Sequence, residues 1–198
     1  MDFSFSTIIT WGVPLVLVIF LVTLYNRLVA YRNRFKNAFA QIDVQLQRRH
    51  DLIPNLVETA KTYLKHEQDT LENVTAARNQ AVSAQRSAAA NPADGALVGK
   101  LSQAEGMLSG ALGRLFAVSE DYPDLKADGT MRDLMESLES TENKVSFARQ
   151  AYNDSVMHYQ TLKESFPTNL VANMAGFKDA ALFEVDRPEV KRAPTVAF

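Results

Sequence analysis

No cysteine occurs anywhere in the 198 residues. That absence excludes disulfides, thiol nucleophiles and thiolate metal ligands together, and with them an N-terminal lipid anchor on cysteine. Charge of one sign is also missing: 21 Lys and Arg stand against 23 Asp and Glu. The concentrated basic surface that a nucleic-acid partner needs is therefore absent, and no nucleic acid is expected. Histidine is sparse. His50, His66 and His158 belong to no His-Glu-x-x-His motif. The residues three before them are Gln47, Tyr63 and Ser155, which removes the Glu-x-x-His pairs of di-iron bundles. All three read as lone surface histidines. There is no Gly-x-Ser-x-Gly elbow and no glycine-rich phosphate loop. No segment shows strand alternation bounded by turns. With no catalytic, cofactor-binding or metal-binding set in view, the chain is expected not to be an enzyme and to need no cofactor.

What is present begins with a long apolar run. Residues 3–25 carry no charge, and the densest part, Ile8 to Tyr25, would span about 27 Å as a helix, close to a bilayer's hydrocarbon thickness. Ile8, Trp11, Leu15, Ile19, Leu21 and Tyr25 are expected to meet lipid, with the rings of Trp11 and Tyr25 near the two interfaces. Pro14 falls in the first turns, where a kink is tolerable. A cleaved signal peptide is disfavoured by Asp2 in place of a basic n-region and by the lack of a small-x-small site. Arg27, Arg32, Arg34 and Lys36 crowd the C-terminal flank. Positive charge stays cytoplasmic, which predicts an external N-terminus and a cytoplasmic body. The same four residues would each gain ~1 kcal/mol beside anionic lipid.

Beyond the anchor, apolar residues recur at steps of three, four and seven: Leu28, Tyr31, Phe35, Phe39, Ile42, Leu46, Ile53, Leu56, Val57, Ala60, Leu64, Leu71, Val74, Ala77 and Ala81. This is one helical stripe, in phase across Pro54. The segment reads as one long bent helix that fades in Ser87 to Gly95. The alternative is a break at Pro54, with Asp51 as N-cap. A second stripe runs from Leu97 to Val118 and stops at Tyr122-Pro123-Asp124. A third runs from Met131 through Leu138, Val145, Tyr152 and Tyr159 to Phe166, opened by Thr130 and Asp133 at capping-box spacing. A short helix follows between Thr168 and Ala175, closed by Gly176.

The expected fold is all-α: an N-terminal transmembrane helix continuing into an antiparallel bundle of three long helices and a short one. The divisions are 1–26 for the N-terminal segment and anchor, 27–177 for the cytoplasmic bundle and 178–198 for an extended tail. Stripes this long suit coiled-coil packing, and any part left uncovered invites self-association.

Three local patterns bear on function. Gly106, Gly110 and Gly113 lie inside the second stripe, where they either let a neighbouring helix approach closely, the reading favoured here, or simply weaken the helix. Glu136, Glu139 and Glu142 repeat at three-residue spacing and read as a solvated face. The stretch around Arg48, Arg49, Asp51, Pro54 and Asn55 could form a kinked partner surface. The plainer reading pairs its arginines with carboxylates across the bundle.

The run Tyr25 to Glu67 resembles the signature of the LemA family. So do Arg114 to Ala117, Tyr122 to Lys126, Thr141 to Lys144, Ala151 to Asp154, Phe166 to Leu170 and Gly176 to Lys178. Some members carry a lipobox-like cysteine near the anchor; this chain has none, so lipid attachment is not carried over. Met174-Ala175 stands where the family is more apolar and aromatic, so nothing about tail docking is carried over either. The resemblance implies a bacterial inner-membrane protein with a cytoplasmic helical bundle and no catalytic residues. It further implies envelope maintenance, sometimes near membrane proteases, and membrane organisation in a magnetosome-forming relative. Two functions follow as expectations: a self-associating scaffold with membrane lipid and its own copies as partners, or an adaptor for a membrane protease or envelope-stress system.

Overall fold

The computed structural model describes residues 5–184, with side chains from residue 11 onward. Ile8's side chain and the tail beyond 184 therefore lie outside the described residues. The chain folds as helices α1 (Phe5–Tyr63), α2 (Gln68–Ala90), α3 (Gly95–Ser119), α4 (Pro123–Ala127), α5 (Gly129–Glu164) and α6 (Thr168–Met174). No strand occurs among the described residues. The all-α architecture matches the expectation. The count of long helices does not, because four long helices run up, down, up and down.

The discrepancy has one cause. The first stripe is real, and its members from Leu28 to Ala81 are buried except for Tyr31, which is half-buried. It is not one helix, however. The chain reverses at Leu64 to Glu67, where the Glu67 N–H donates to the Leu64 carbonyl at 3.2 Å. No glycine or proline marks this turn. The step from Leu64 to Leu71 is one heptad, so the buried phase carries through the reversal and hides it. Pro54, by contrast, neither ends nor splits α1.

Other boundaries follow local chemistry. Asp94 caps α3, its carboxylate accepting from the Ala96 and Leu97 N–H groups. Asp128 caps α5 by accepting from the Met131 N–H at 2.9 Å, so the helix starts at Gly129 and the cap is Asp128 rather than Thr130. Tyr122-Pro123-Asp124 ends α3's extension as expected and then opens the short α4, with Pro123 in its first turn. The α6 terminus is a Schellman motif: Gly176 takes φ +69° and the Phe177 N–H donates to the Ala172 carbonyl at 3.0 Å.

α5 runs antiparallel to α1, from Phe35 against Tyr159 at 5.1 Å between ring centres to Tyr63 against Asp128 at 3.0 Å. α2 packs on α1 and α3 on α2, but no α3 Cα comes within 8 Å of an α5 Cα. This seam is open. Towards the anchor it is filled by residues 177–184, which have neither helix nor strand. α5 side chains hold them instead. Tyr159 Oη donates to the Lys178 carbonyl, Gln160 Nε2 to that of Ala180 and Tyr152 Oη to that of Ala181. Asn153 grips Phe183 by accepting from its N–H and donating to its carbonyl. At Gly95 a Cβ would stand 2.8 Å from that of Ala181, so only glycine admits this crossing.

Burial pushes the Tyr152 hydroxyl up to about 12, and Tyr159 is raised by burial as well. A raised folded value means that the neutral phenol stabilises the fold fully below the unfolded value near 10. That contribution is lost as pH climbs through the folded value. The bundle is therefore expected to weaken between about pH 10 and 12, a two-unit shift being worth roughly 3 kcal/mol. Urea titrations across that window, with and without Tyr152→Phe, check it. The variant should show a shallower alkaline loss.

Candidate functional site

Two apolar clusters build the core. The anchor-side cluster contains Leu28, Phe35, Phe39, Ile42, Leu46, Tyr152 and Tyr159. The far cluster contains Ile53, Leu56, Leu64, Leu108, Leu115 and Met131. Between them lies a layer of polar side chains drawn from all four long helices. Arg49 and His50 come from α1, Gln85 from α2 and Glu105 from α3, all 4% exposed or less. Glu142, at the rim, comes from α5.

The layer closes on itself. Arg49 donates to Glu105 Oε2 at 2.8 Å and to Ser109 Oγ at 2.9 Å, and forms an ion pair with Glu142 at 2.9 Å. His50 Nδ1 lies 2.8 Å from Gln85 Oε1, and Nε2 lies 2.8 Å from Glu105 Oε1. The Gln85 amide nitrogen donates to Asp43 at both its carbonyl and its carboxylate. That assigns Oε1 as the atom facing His50, and hence Nδ1 as a donor. One further proton between Nε2 and Glu105 completes the chain. The second carboxylate oxygen meets Arg49, so a buried acid, base and imidazole spend their hydrogen-bonding groups on one another.

Pro54 belongs to the same device. Having no N–H, it leaves the carbonyl four residues earlier without its helical donor. That carbonyl is His50's, and Arg78 Nε from α2 donates to it at 3.0 Å. A proline that should break α1 is accommodated by a side chain from the neighbouring helix.

Several expectations are corrected here. His50 is not a surface histidine: it is fully buried, while His66 and His158 are exposed. Arg49 turns inward to Glu105 and Glu142, as the plainer reading of its stretch has it, and does not belong to the candidate partner surface. Arg48, Asp51, Pro54 and Asn55 remain exposed on α1. Glu142 is a half-exposed partner of Arg49 rather than a purely solvated acid. Gly106, Gly110 and Gly113 admit no close neighbour, since a Cβ at each would meet nothing within 4 Å. Phe166, expected to end the buried third stripe, is exposed. The layer's positions were nonetheless in the stripes. Leu46 and Ile53 are seven apart, and Arg49 and His50 fill the turn between them. Gln85 lies four after Ala81, and Glu105 lies four after Leu101. Polar residues in apolar phase on three helices were the available signal.

Beside the layer, the open part of the α3–α5 seam forms a groove of about 470 Å³, lined by Leu112, Phe116, Met135 and Leu138 with Glu139 and Glu142. Among the described residues no cluster of three potential metal-ligating side chains exists.

At the anchor, Trp11, Leu15, Ile19, Leu21 and Tyr25 are all exposed on a helix long and apolar enough to cross a membrane. Arg27, Arg34 and Lys36 are exposed. Arg32 is half-buried, its guanidinium 5.1 Å from the centre of the Phe177 ring.

The sequence is similar to known proteins over most of its length. The magnetosome protein MamQ of Magnetospirillum gryphiswaldense is 28% identical over 185 residues, covering 84% of this chain and 68% of that protein. Two proteins of Paramagnetospirillum magneticum, magnetosome proteins MamQ 1 and MamQ 2, match with the same identity and coverage. The LemA family profile matches residues 38–198, most of the chain, and the protein belongs to the LemA family.

Proposed function

We propose that the chain is a non-enzymatic scaffold of a bacterial inner membrane. It is single-pass, with its N-terminus outside and its bundle cytoplasmic, and it self-associates to organise partners or lipid in envelope maintenance. The observation that carries this reading is the continuity of α1. One helix of 59 residues, some 90 Å long at 1.5 Å per residue, is both membrane anchor and central member of the bundle. The orientation of the bundle is thereby tied to the bilayer. The open α3–α5 groove, apolar at its floor and acidic at its rim, supplies a face for a second copy. The buried ionic layer supports a structural role, because its groups are satisfied internally rather than directed at a substrate. The relatives' names, as magnetosome proteins, support work at a membrane. The flanking Arg27, Arg32, Arg34 and Lys36 support the cytoplasmic placement.

Crosslinking in cells followed by native mass determination in mild detergent tests the proposal. A single large homo-oligomer is expected. A strict monomer over a wide concentration range would reject self-association.

A second reading, an adaptor for a membrane protease or stress system, is favoured by one strip. Val44, Arg48, Asp51 and Asn55 are exposed at helical spacing on the outer side of α1. Arg48→Glu, leaving the buried Arg49 intact, should then abolish co-purification of the client without loss of helicity. Unchanged co-purification sinks that surface.

A further inference from the structure

We infer that α6 is a second membrane contact: an apolar face formed by Phe166, Leu170 and Met174 lies in the interfacial region of the leaflet from which α1 emerges. These three are 81%, 54% and 91% exposed. Leu170 and Met174 lie one turn apart on α6, and Phe166 is exposed in the turn that leads into the helix. The bundle has no use for them, since α6 buries Thr168 and Ala172 instead. An unpartnered apolar face of this kind is costly in water and suited to the headgroup–acyl boundary.

What names the occupant is the height of α6 on the anchor. α6 packs against α1 and α5, and its Schellman turn places the Phe177 ring edge-on against Tyr25, with centres 5.7 Å apart. Tyr25 is the last residue of the apolar run. Leu24, the neighbour inside that run, is only 6% exposed, so the bundle reaches down to where the span ends. α5 descends the same way: Tyr159 faces Phe35, and the helix ends five residues further towards the anchor, at Glu164, about 7 Å below that pair, with Phe166 in the turn beyond it. The turn that ends α6 is thus level with the end of the span. The charges fit as well. Arg27 is exposed two residues beyond Tyr25, with Arg34 and Lys36 exposed higher on α1, and Arg32 lies over Phe177 with its Nε buried and no acceptor among the described residues. A cationic collar over an interfacial apolar patch is the arrangement that anionic headgroups favour.

Such a contact gives the bundle two attachments to one leaflet and adds a second constraint to the orientation that the continuous α1 imposes. The inference needs only that the anchor spans a bilayer; it does not depend on self-association.

The native chain has no cysteine, so single-cysteine variants are clean probes. Full-length Phe166→Cys, Leu170→Cys and Met174→Cys, each carrying an environment-sensitive fluorophore, would be reconstituted into phosphatidylethanolamine–phosphatidylglycerol vesicles. Thr62→Cys, at the far end of α1, is the aqueous control, and Leu17→Cys is the insertion control. Quenching by nitroxide-labelled lipid should be several-fold stronger at 166, 170 and 174 than at 62, with matching protection from aqueous iodide. Lipid quenching no greater than at 62, with free access to iodide, overturns the inference. So does protection that rises with protein-to-lipid ratio but not with lipid quencher, which would assign the face to a second copy. Absence of quenching at 17 would instead overturn the anchor, and this inference with it.

Discussion

Glu105→Ala is expected to destabilise the bundle by about 3–5 kcal/mol, the cost of leaving a buried charge without its partner. Glu105 is the residue on which the layer turns. One carboxylate oxygen receives Arg49 at 2.8 Å and the other faces His50 at 2.8 Å. Alanine would strand a buried guanidinium and a fully buried imidazole together, with only Ser109, Glu142 and Gln85 left to them. In a domain of this size the melting temperature should fall by roughly 10 °C, as read by circular dichroism in mild detergent. A loss under about 1 kcal/mol would mean that solvent reaches the layer. The companion experiment replaces the whole set at once, with Arg49→Met, His50→Leu, Gln85→Leu and Glu105→Leu. Because a buried ionic cluster is often no more stable than apolar residues of similar volume, most of the lost stability should return. Loss of a single defined helix register in that variant would reveal what the layer contributes: a cross-chain match that apolar stripes of three-four spacing do not enforce.

Two arginines in the anchor, Leu15→Arg with Ile19→Arg, should move the protein out of the membrane. Each costs roughly 3 kcal/mol or more near the centre of a span, so the pair removes on the order of 6–8 kcal/mol from insertion. Both side chains are exposed in the chain by itself, at 60% and 57%, so neither charge disturbs the bundle. Partition after alkaline carbonate extraction is the measurement, with Phe147→Arg as the control because Phe147 is exposed on α5, away from the anchor. The double variant is expected in the soluble fraction and the control in the membrane. Retention of the double variant would show that something other than α1 holds the protein there.

Helical periodicity identified the buried members of α1 and α2 almost without error, because burial depends on phase and phase is local. It could not see the reversal at Leu64 to Glu67. A turn between antiparallel helices needs only a few residues, and this one keeps the heptad step from Leu64 to Leu71. The effect of Pro54 was likewise undecidable from sequence. Whether a proline ends a helix depends on what happens to the carbonyl four residues before it, and the donor that meets the His50 carbonyl is Arg78, on another helix. Gly176 was read correctly as the α6 terminus because its left-handed φ is a one-residue property. Gly106, Gly110 and Gly113 are not packing contacts, since a Cβ at each would meet nothing within 4 Å, and only the arrangement of the neighbouring helices shows that.

The chain by itself, then, determined the anchor, the all-helical class and most of the apolar face of each helix. These depend on hydropathy and on 3.6-residue spacing, both carried by neighbouring residues. The tertiary structure alone decided the number of long helices, the burial of Arg49, His50, Gln85 and Glu105, and the height of α6 beside Tyr25. A buried charge is recognised by its partner, and here the partners of Arg49 and His50 stand 35 to 93 positions away along the chain. The apolar phase of a helix can place a polar residue inward, but nothing local names the residue that it will meet there.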